Sequence, residues 1–153
     1  MSALLEPSPL ADFTRVLAAE GVVAGLAFLN QRVMHRCTAI YRLEAMTVRN
    51  LYLFDREGAL LPESLGVVQL DESFCQHAMR DGAFLTEDTR ADSRVDGSPY
   101  KGVVVSYHGL PLLDGRGELF GTLCHFDFVP RSLADSEFEF LQKAARVLPA
   151  YLR

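Results

Sequence analysis

Residues 103–128 read VVVSYHGLPLLDGRGELFGTLCHFDF. Two apolar runs, 103–113 and 118–128, flank Asp114-Gly115-Arg116-Gly117. Two glycines in four residues tolerate the positive φ angles that a tight turn demands, so the runs pair as an antiparallel hairpin. Along the second run Phe120, Thr122, Cys124, Phe126 and Phe128 share one face, and Leu119, Gly121, Leu123, His125 and Asp127 share the other. Both faces are largely apolar, which makes this a central strand needing cover on both sides. The first run can aim either Ser106 and His108 or Tyr107 and Gly109 at a given side, and alternation alone leaves both open.

Working upstream, residues 87–100 are polar and turn-rich, with Asp88, Asp92, Arg94, Asp96, Gly97 and Pro99, and read as a long loop. Before it come a brief strand at 84–86 and a short helix at 73–80, started by Asp71 or Ser73 and stopped by Gly82. Residues 37–43 and 48–54 are rich in β-branched and aromatic side chains and form a second hairpin. Leu10, Phe13, Val16 and Leu17, then Val22, Leu26, Leu29 and Val33, recur at helical spacing on either side of Gly21, giving two helices or one bent there. Pro7 and Pro9 mark residues 1–9 as a flexible tail, with the helix entered near Leu10. Downstream, Asp135, Ser136 and Glu137 open a closing helix with a Phe138, Leu141, Ala145, Leu148 and Leu152 stripe, bent or frayed at Pro149. The order is α+β: helices against a mostly antiparallel sheet, a single domain over 10–153.

Composition bounds the function. A chain of 153 residues, 49% hydrophobic and 23% charged, folds around one core. Fifteen Lys and Arg against twenty Asp and Glu give a net charge of −5, so no basic surplus exists to neutralise phosphates, and nucleic acid is not an expected partner. The opening residues carry no basic export signal, and the longest apolar run, residues 22–29, is far below the roughly 20 residues that span a bilayer. Cys37, Cys75 and Cys124 are an odd, dispersed set without CxxC, which fits a reducing cytosol. A soluble cytoplasmic protein is expected.

From Ser73 onward the chain resembles a GAF domain, the small-molecule sensing module of bacterial signalling proteins and phytochromes. The resemblance rests on SFCQHA (73–78), TEDTRADSR (86–94), SYHGLPLLDGRGELFGTLCHFD (106–127) and the acid-started terminal helix. It implies a central antiparallel sheet of five to six strands, the N- and C-terminal helices on one face, and a ligand pocket on the other. The implied activity is sensory or regulatory, through an unidentified noncovalent small molecule and no cofactor. A homodimer through the terminal helices is implied too, together with a signalling partner protein. The positions placed at the pocket are Phe74, Cys75, Asp88, Asp92, Arg94, Tyr100, Ser106, Tyr107, His108, Cys124 and Phe126.

Other chemistry is poorly provided for. Cys75 and His77 point in different directions on a helix, and Cys124 and His125 face opposite sides of a strand, so no metal site is expected. No G-x-S-x-G, G-x-G-x-x-G or Walker pattern occurs. Some GAF-like proteins are free methionine-R-sulfoxide reductases, and Cys75 occupies a place like that family's first cysteine. The loop RVDGSPYKGVVVS (94–106) has no cysteine where the other two belong. The bilin-attachment cysteine of phytochromes is absent near Ser98-Pro99-Tyr100, although haem on His77, His108 or His125 stays open. A dimerisation module with a vestigial pocket is the remaining alternative, its candidates Leu10, Phe13, Leu17 and the terminal-helix stripe. Asp88, Asp92 and Arg94 also suit plain loop architecture, the carboxylates capping turns and Arg94 clamping one of them.

Overall fold

The computed structural model describes residues 8–59 and 62–152. Helix α1 (Pro9–Glu20) starts where a proline is tolerated, because the missing N–H belongs to the unbonded first turn, and the Ser8 hydroxyl accepts from the Ala11 amide. The tail expected over 1–9 therefore ends earlier: Ser8 and Pro9 belong to the helix start, and the rest lies outside the described residues. Gly21, at φ 97°, closes α1 and precedes α2 (Val22–Asn30), so the apolar pattern resolves into two helices. Val33 falls beyond α2.

The sheet has six strands: β1 (Cys37–Glu44), β2 (Thr47–Asp55), β3 (Val67–Gln69), β4 (Phe84–Thr86), β5 (Ser106–Leu113) and β6 (Leu119–Asp127). Their spatial order is β3-β2-β1-β6-β5-β4, every neighbour antiparallel. β6 lies beside β1 at the centre, as an apolar pattern on both faces requires. At that junction Gly121 pairs with Arg42 next to a bulge at Ile40/Tyr41, and any Cβ on Gly121 would run into the backbone carbonyl of Tyr41. Residues 103–105, expected as strand, instead finish the loop, and β3 is a three-residue edge strand that sequence periodicity does not pick out.

One face of the sheet is covered by α1, α2 and the closing helix α4 (Asp135–Val147), with Ile40, Leu110, Leu112 and Leu123 packed against Phe13, Leu17, Leu26, Phe140, Leu141 and Leu148. Each such buried side chain contributes about 1.5–3 kcal/mol. The buried stripe of α4 is Phe140, Leu141 and Ala144, continued by Leu148 in a 3₁₀ turn at Leu148–Tyr151; Phe138 and Ala145 stand at its margin. Arg32 grips Glu137 with two hydrogen bonds and lies 4.0 Å over the Phe140 ring, fastening the end of α2 to α4. Phe13, Leu17, Leu141 and Leu148, which sequence reasoning offers to a dimer bundle, are fully used in this core.

The second face has thinner cover: the short helix α3 (Cys75–Asp81), the 3₁₀ turn Glu63–Leu65, and the loop 87–105 with its own turns at Thr89–Ala91 and Ser93–Val95. Among the described residues no helix is long and apolar enough to cross a membrane.

Candidate functional site

The thinly covered face encloses a cavity of about 40 Å³. β1 contributes Tyr41, β2 Val48, β3 Val68, β5 Tyr107 and β6 Phe126; the cover contributes Leu65, Ser73, Phe74, Cys75, Tyr100 and Val104. These residues reach one point because the inward parities of five strands converge. Tyr107 and Gly109 take the inward parity of β5, and the Tyr107 ring lies across Gly109, where a Cβ would overlap it. Phe74, Phe84 and Tyr107 then pack together above the sheet, with centroids 5.7 to 6.2 Å apart, Phe74 edge to face on Tyr107 and the other two pairs tilted.

The polar atoms around the cavity are already engaged. Tyr41 Oη donates to the Leu65 carbonyl (2.7 Å), Tyr100 Oη to the Ser64 carbonyl (3.0 Å) and Ser73 Oγ to the Leu70 carbonyl (2.7 Å). Tyr107 Oη donates to Cys75 Sγ (3.5 Å), and that sulfur lies 3.2 Å from Thr122 Oγ1. Among the described residues no charged side chain lines the space. Burial pushes the Cys75 and Cys124 thiols and the Tyr41 and Tyr107 phenols above their ordinary ranges, and Cys37 up to about 12. All three thiols are free, buried and neutral.

Of the positions that sequence reasoning placed at a pocket, Phe74, Cys75, Tyr100, Tyr107 and Phe126 line the cavity, and Cys124 belongs to the same cluster beneath it. Ser106 and His108 do not: once Tyr107 faces inward, pleating turns its two neighbours to the helix side. Ser106 Oγ donates to the Val129 carbonyl. Asp88, Asp92 and Arg94 build the loop instead. Asp88 and Asp92 accept from the amides of Arg90 and Arg94 at the two 3₁₀ starts, while Arg94 donates to Leu85 O and stacks 4.5 Å over Phe84. The bond from Arg94 holds the Asp92 carboxyl below its ordinary range. Tyr41, Val48, Leu65, Val68, Ser73 and Val104 are lining residues that the sequence did not place at a pocket, Ser73 having been read as a helix start; the alternation Cys37, Ala39, Tyr41 along β1 is the signal that points to the first.

The opposite face holds a feature invisible to local patterns, a buried cluster of His35, His108 and His125. His108 and His125 are cross-strand partners on β5 and β6, and His35 descends on them from the segment after α2. Asn30 Nδ2 donates to the His35 carbonyl (2.9 Å) and to Thr38 Oγ1 (3.0 Å), leaving the Thr38 hydroxyl to donate to His125 Nδ1 at 2.6 Å. Arg56 donates in turn to Asn30 Oδ1. Among the described residues, His35 Nδ1 is the only buried side-chain polar atom without a hydrogen-bond partner. Burial depresses all three imidazoles, His35 to about 3, His108 to about 4, and His125 well below its ordinary value. Among the described residues no group of three His, Cys, Asp or Glu side chains is arranged to hold a metal. His77 is remote from this cluster, stacked on Phe84 at 4.8 Å.

No family model and no curated protein matches the sequence. Solved structures do match. A GAF domain from the Acinetobacter phosphoenolpyruvate-protein phosphotransferase superposes with a TM-score of 0.73 at 17% identity, over 94% of this chain and 89% of that one. The free methionine-R-sulfoxide reductase of Neisseria meningitidis, in complex with its substrate, gives 0.71 at 18% identity over 99% and 90%. A phycocyanobilin-bound GAF domain of a cyanobacterial phytochrome gives 0.72 at 17% identity over 95% and 94%. The chain has the GAF-domain fold, with the six-stranded sheet and helical face expected from its sequence.

Proposed function

We propose that this chain is a GAF-type sensory module that binds a small molecule noncovalently. The observation carrying this reading is the cavity between the sheet and its thin cover, sited on the face away from α1, α2 and α4 and walled partly by a loop. Binding there shifts the population of the covering loop, because Tyr100 and Ser98 both tie it across to the 63–72 segment, through Ser64 O and Glu72 O, and a ligand that favours one arrangement favours one surface. A partner protein reads that surface. A thermal-shift screen of the full chain against nucleotides, amino acids, aromatic acids and small neutral molecules tests the proposal. A true ligand at a hundred times its Kd stabilises by about 2.7 kcal/mol. A screen in which nothing stabilises the fold removes the reading.

A thiol redox enzyme of the free methionine-R-sulfoxide reductase type is the second reading, and one observation favours it: Cys37 and Cys124 share the buried cluster that contains Cys75, so the sheet supplies thiols that the loop lacks. The raised thiols, and a lining that among the described residues has no charged group for an amino acid's ammonium and carboxylate, weigh against it. Turnover of free methionine sulfoxide, lost in Cys75→Ser, would establish the enzyme.

A further inference from the structure

We infer that the ligand of the sheet-side cavity is a small, uncharged, predominantly apolar molecule, far smaller than a nucleotide or a bilin. The inference rests on the sensor reading and names its ligand class. Size comes first. A space of about 40 Å³ exceeds the ~10–15 Å³ that one water needs and falls well short of the ~150 Å³ of an apolar cavity that takes up benzene. It suits xenon or a molecule of a few heavy atoms as it stands.

Chemistry gives the same answer. Ten of the eleven described lining side chains are aliphatic, aromatic or thiol, counting the three tyrosines by their rings, and none is charged. The donors of Tyr41, Tyr100, Tyr107 and Ser73 are each committed to a protein acceptor. A carboxylate, phosphate or ammonium brought here would lose its hydration with no countercharge to replace it, a cost that burial imposes heavily. An apolar guest loses nothing of the kind and gains contact with Val48, Val68, Val104 and Phe126.

The geometry also shows how larger members of the class enter. Tyr100 is only partly buried, and its ring closes the rim through a single hydrogen bond to the Ser64 carbonyl. Releasing that bond widens the space without disturbing the sheet.

The test is methyl NMR of the full chain titrated with four probes: xenon, benzene, cyclic AMP and methionine sulfoxide. Xenon and benzene are expected to shift the methyls of Val48, Val68 and Val104 saturably, and the two charged probes to leave them unmoved. Val104→Phe, which fills the cavity, is expected to abolish the shifts. Should that variant not fold, Tyr100→Ala at the rim serves instead, with benzene binding at least threefold tighter than in the parent chain. Saturable shifts of these methyls by cyclic AMP or methionine sulfoxide would overturn the inference and leave the sensor reading standing. Shifts confined to helix-face methyls such as those of Leu26 and Leu123 would overturn it as well. Silence from every probe, in parent and variant alike, would overturn both.

Discussion

His35 Nε2 lies 2.8 Å from His108 Nδ1, deep between the helices and the sheet, with the rings edge to face at 4.9 Å. One proton serves the two facing nitrogens, so the contact holds only while at least one of the two imidazoles is neutral. A second proton would set two N–H groups against each other, beside Arg56 and Arg131 and with Asp127 as the one carboxylate acting on His35.

Acid should therefore unfold this protein through its histidines. Their folded values, about 3 for His35 and about 4 for His108, sit below the ordinary 6.5. The unfolded chain takes up protons near pH 6.5 that the native state refuses. The stability they confer is complete above that value and is lost as pH falls from 6.5 toward 4 for His108 and toward 3 for His35. At pH 5 each contributes a loss of about 2 kcal/mol. Urea denaturation at pH 8, 7, 6 and 5 checks this: the midpoint should be steady above 7 and fall sharply below 6. A flat profile from 7 to 5 would show that the cluster is not neutral and buried.

A second prediction concerns the centre of the sheet. Gly121 faces the Tyr41 carbonyl where β1 bulges, and a methyl group cannot fit without parting the two central strands. Gly121→Ala should cost about 3 kcal/mol or more, measured by denaturant unfolding. By contrast Gly115, in the β5–β6 turn, has open space for a Cβ and a φ outside the left-handed region, so Gly115→Ala should be nearly neutral.

The reach of the sequence differs from place to place in this molecule. Asp114-Gly115-Arg116-Gly117 revealed β5 and β6 because turn chemistry is local, and the two apolar faces of β6 revealed its central position. β3 stayed hidden, since three residues are too few for a period. The inward parity of β5 was also hidden, because it depends on register. A bulge at Leu112/Leu113 adds one residue to the count back from the turn, and only with that count does His108 stand opposite His125. His35 comes from 73 residues away, and no local pattern marks it. Cavity size was beyond sequence altogether, being set by how Tyr41, Phe74, Tyr100 and Tyr107 pack.

Asp92 offers a third test, separating loop architecture from ligand contact. Its carboxylate accepts from Arg94 Nε (2.9 Å) and from the Arg94 amide (3.1 Å), and Arg94 in turn holds the Leu85 carbonyl (2.8 Å). Asp92→Ala removes a cap and a pairing partner, and should cost about 1–2 kcal/mol while leaving the affinity of any cavity ligand unchanged. A variant of full stability that no longer binds would make Asp92 a ligand residue.

The three thiols supply the last test. Cys37, Cys75 and Cys124 are buried, and burial raises each one, so almost no thiolate is present near neutral pH. Burial raises Cys75 even though its hydrogen bonds with Thr122 and Tyr107 pull it the other way. An aromatic disulfide reagent at pH 8 should therefore label none of them in the native protein within minutes, and three per chain in denaturant. Labelling in the native state should follow the rate of unfolding and slow as stability rises. Rapid native labelling of one equivalent, mapped by mass spectrometry to Cys75, would mean a thiol open to solvent and activated. That outcome would favour the redox enzyme over the sensor, because a nucleophile must reach its substrate as a thiolate.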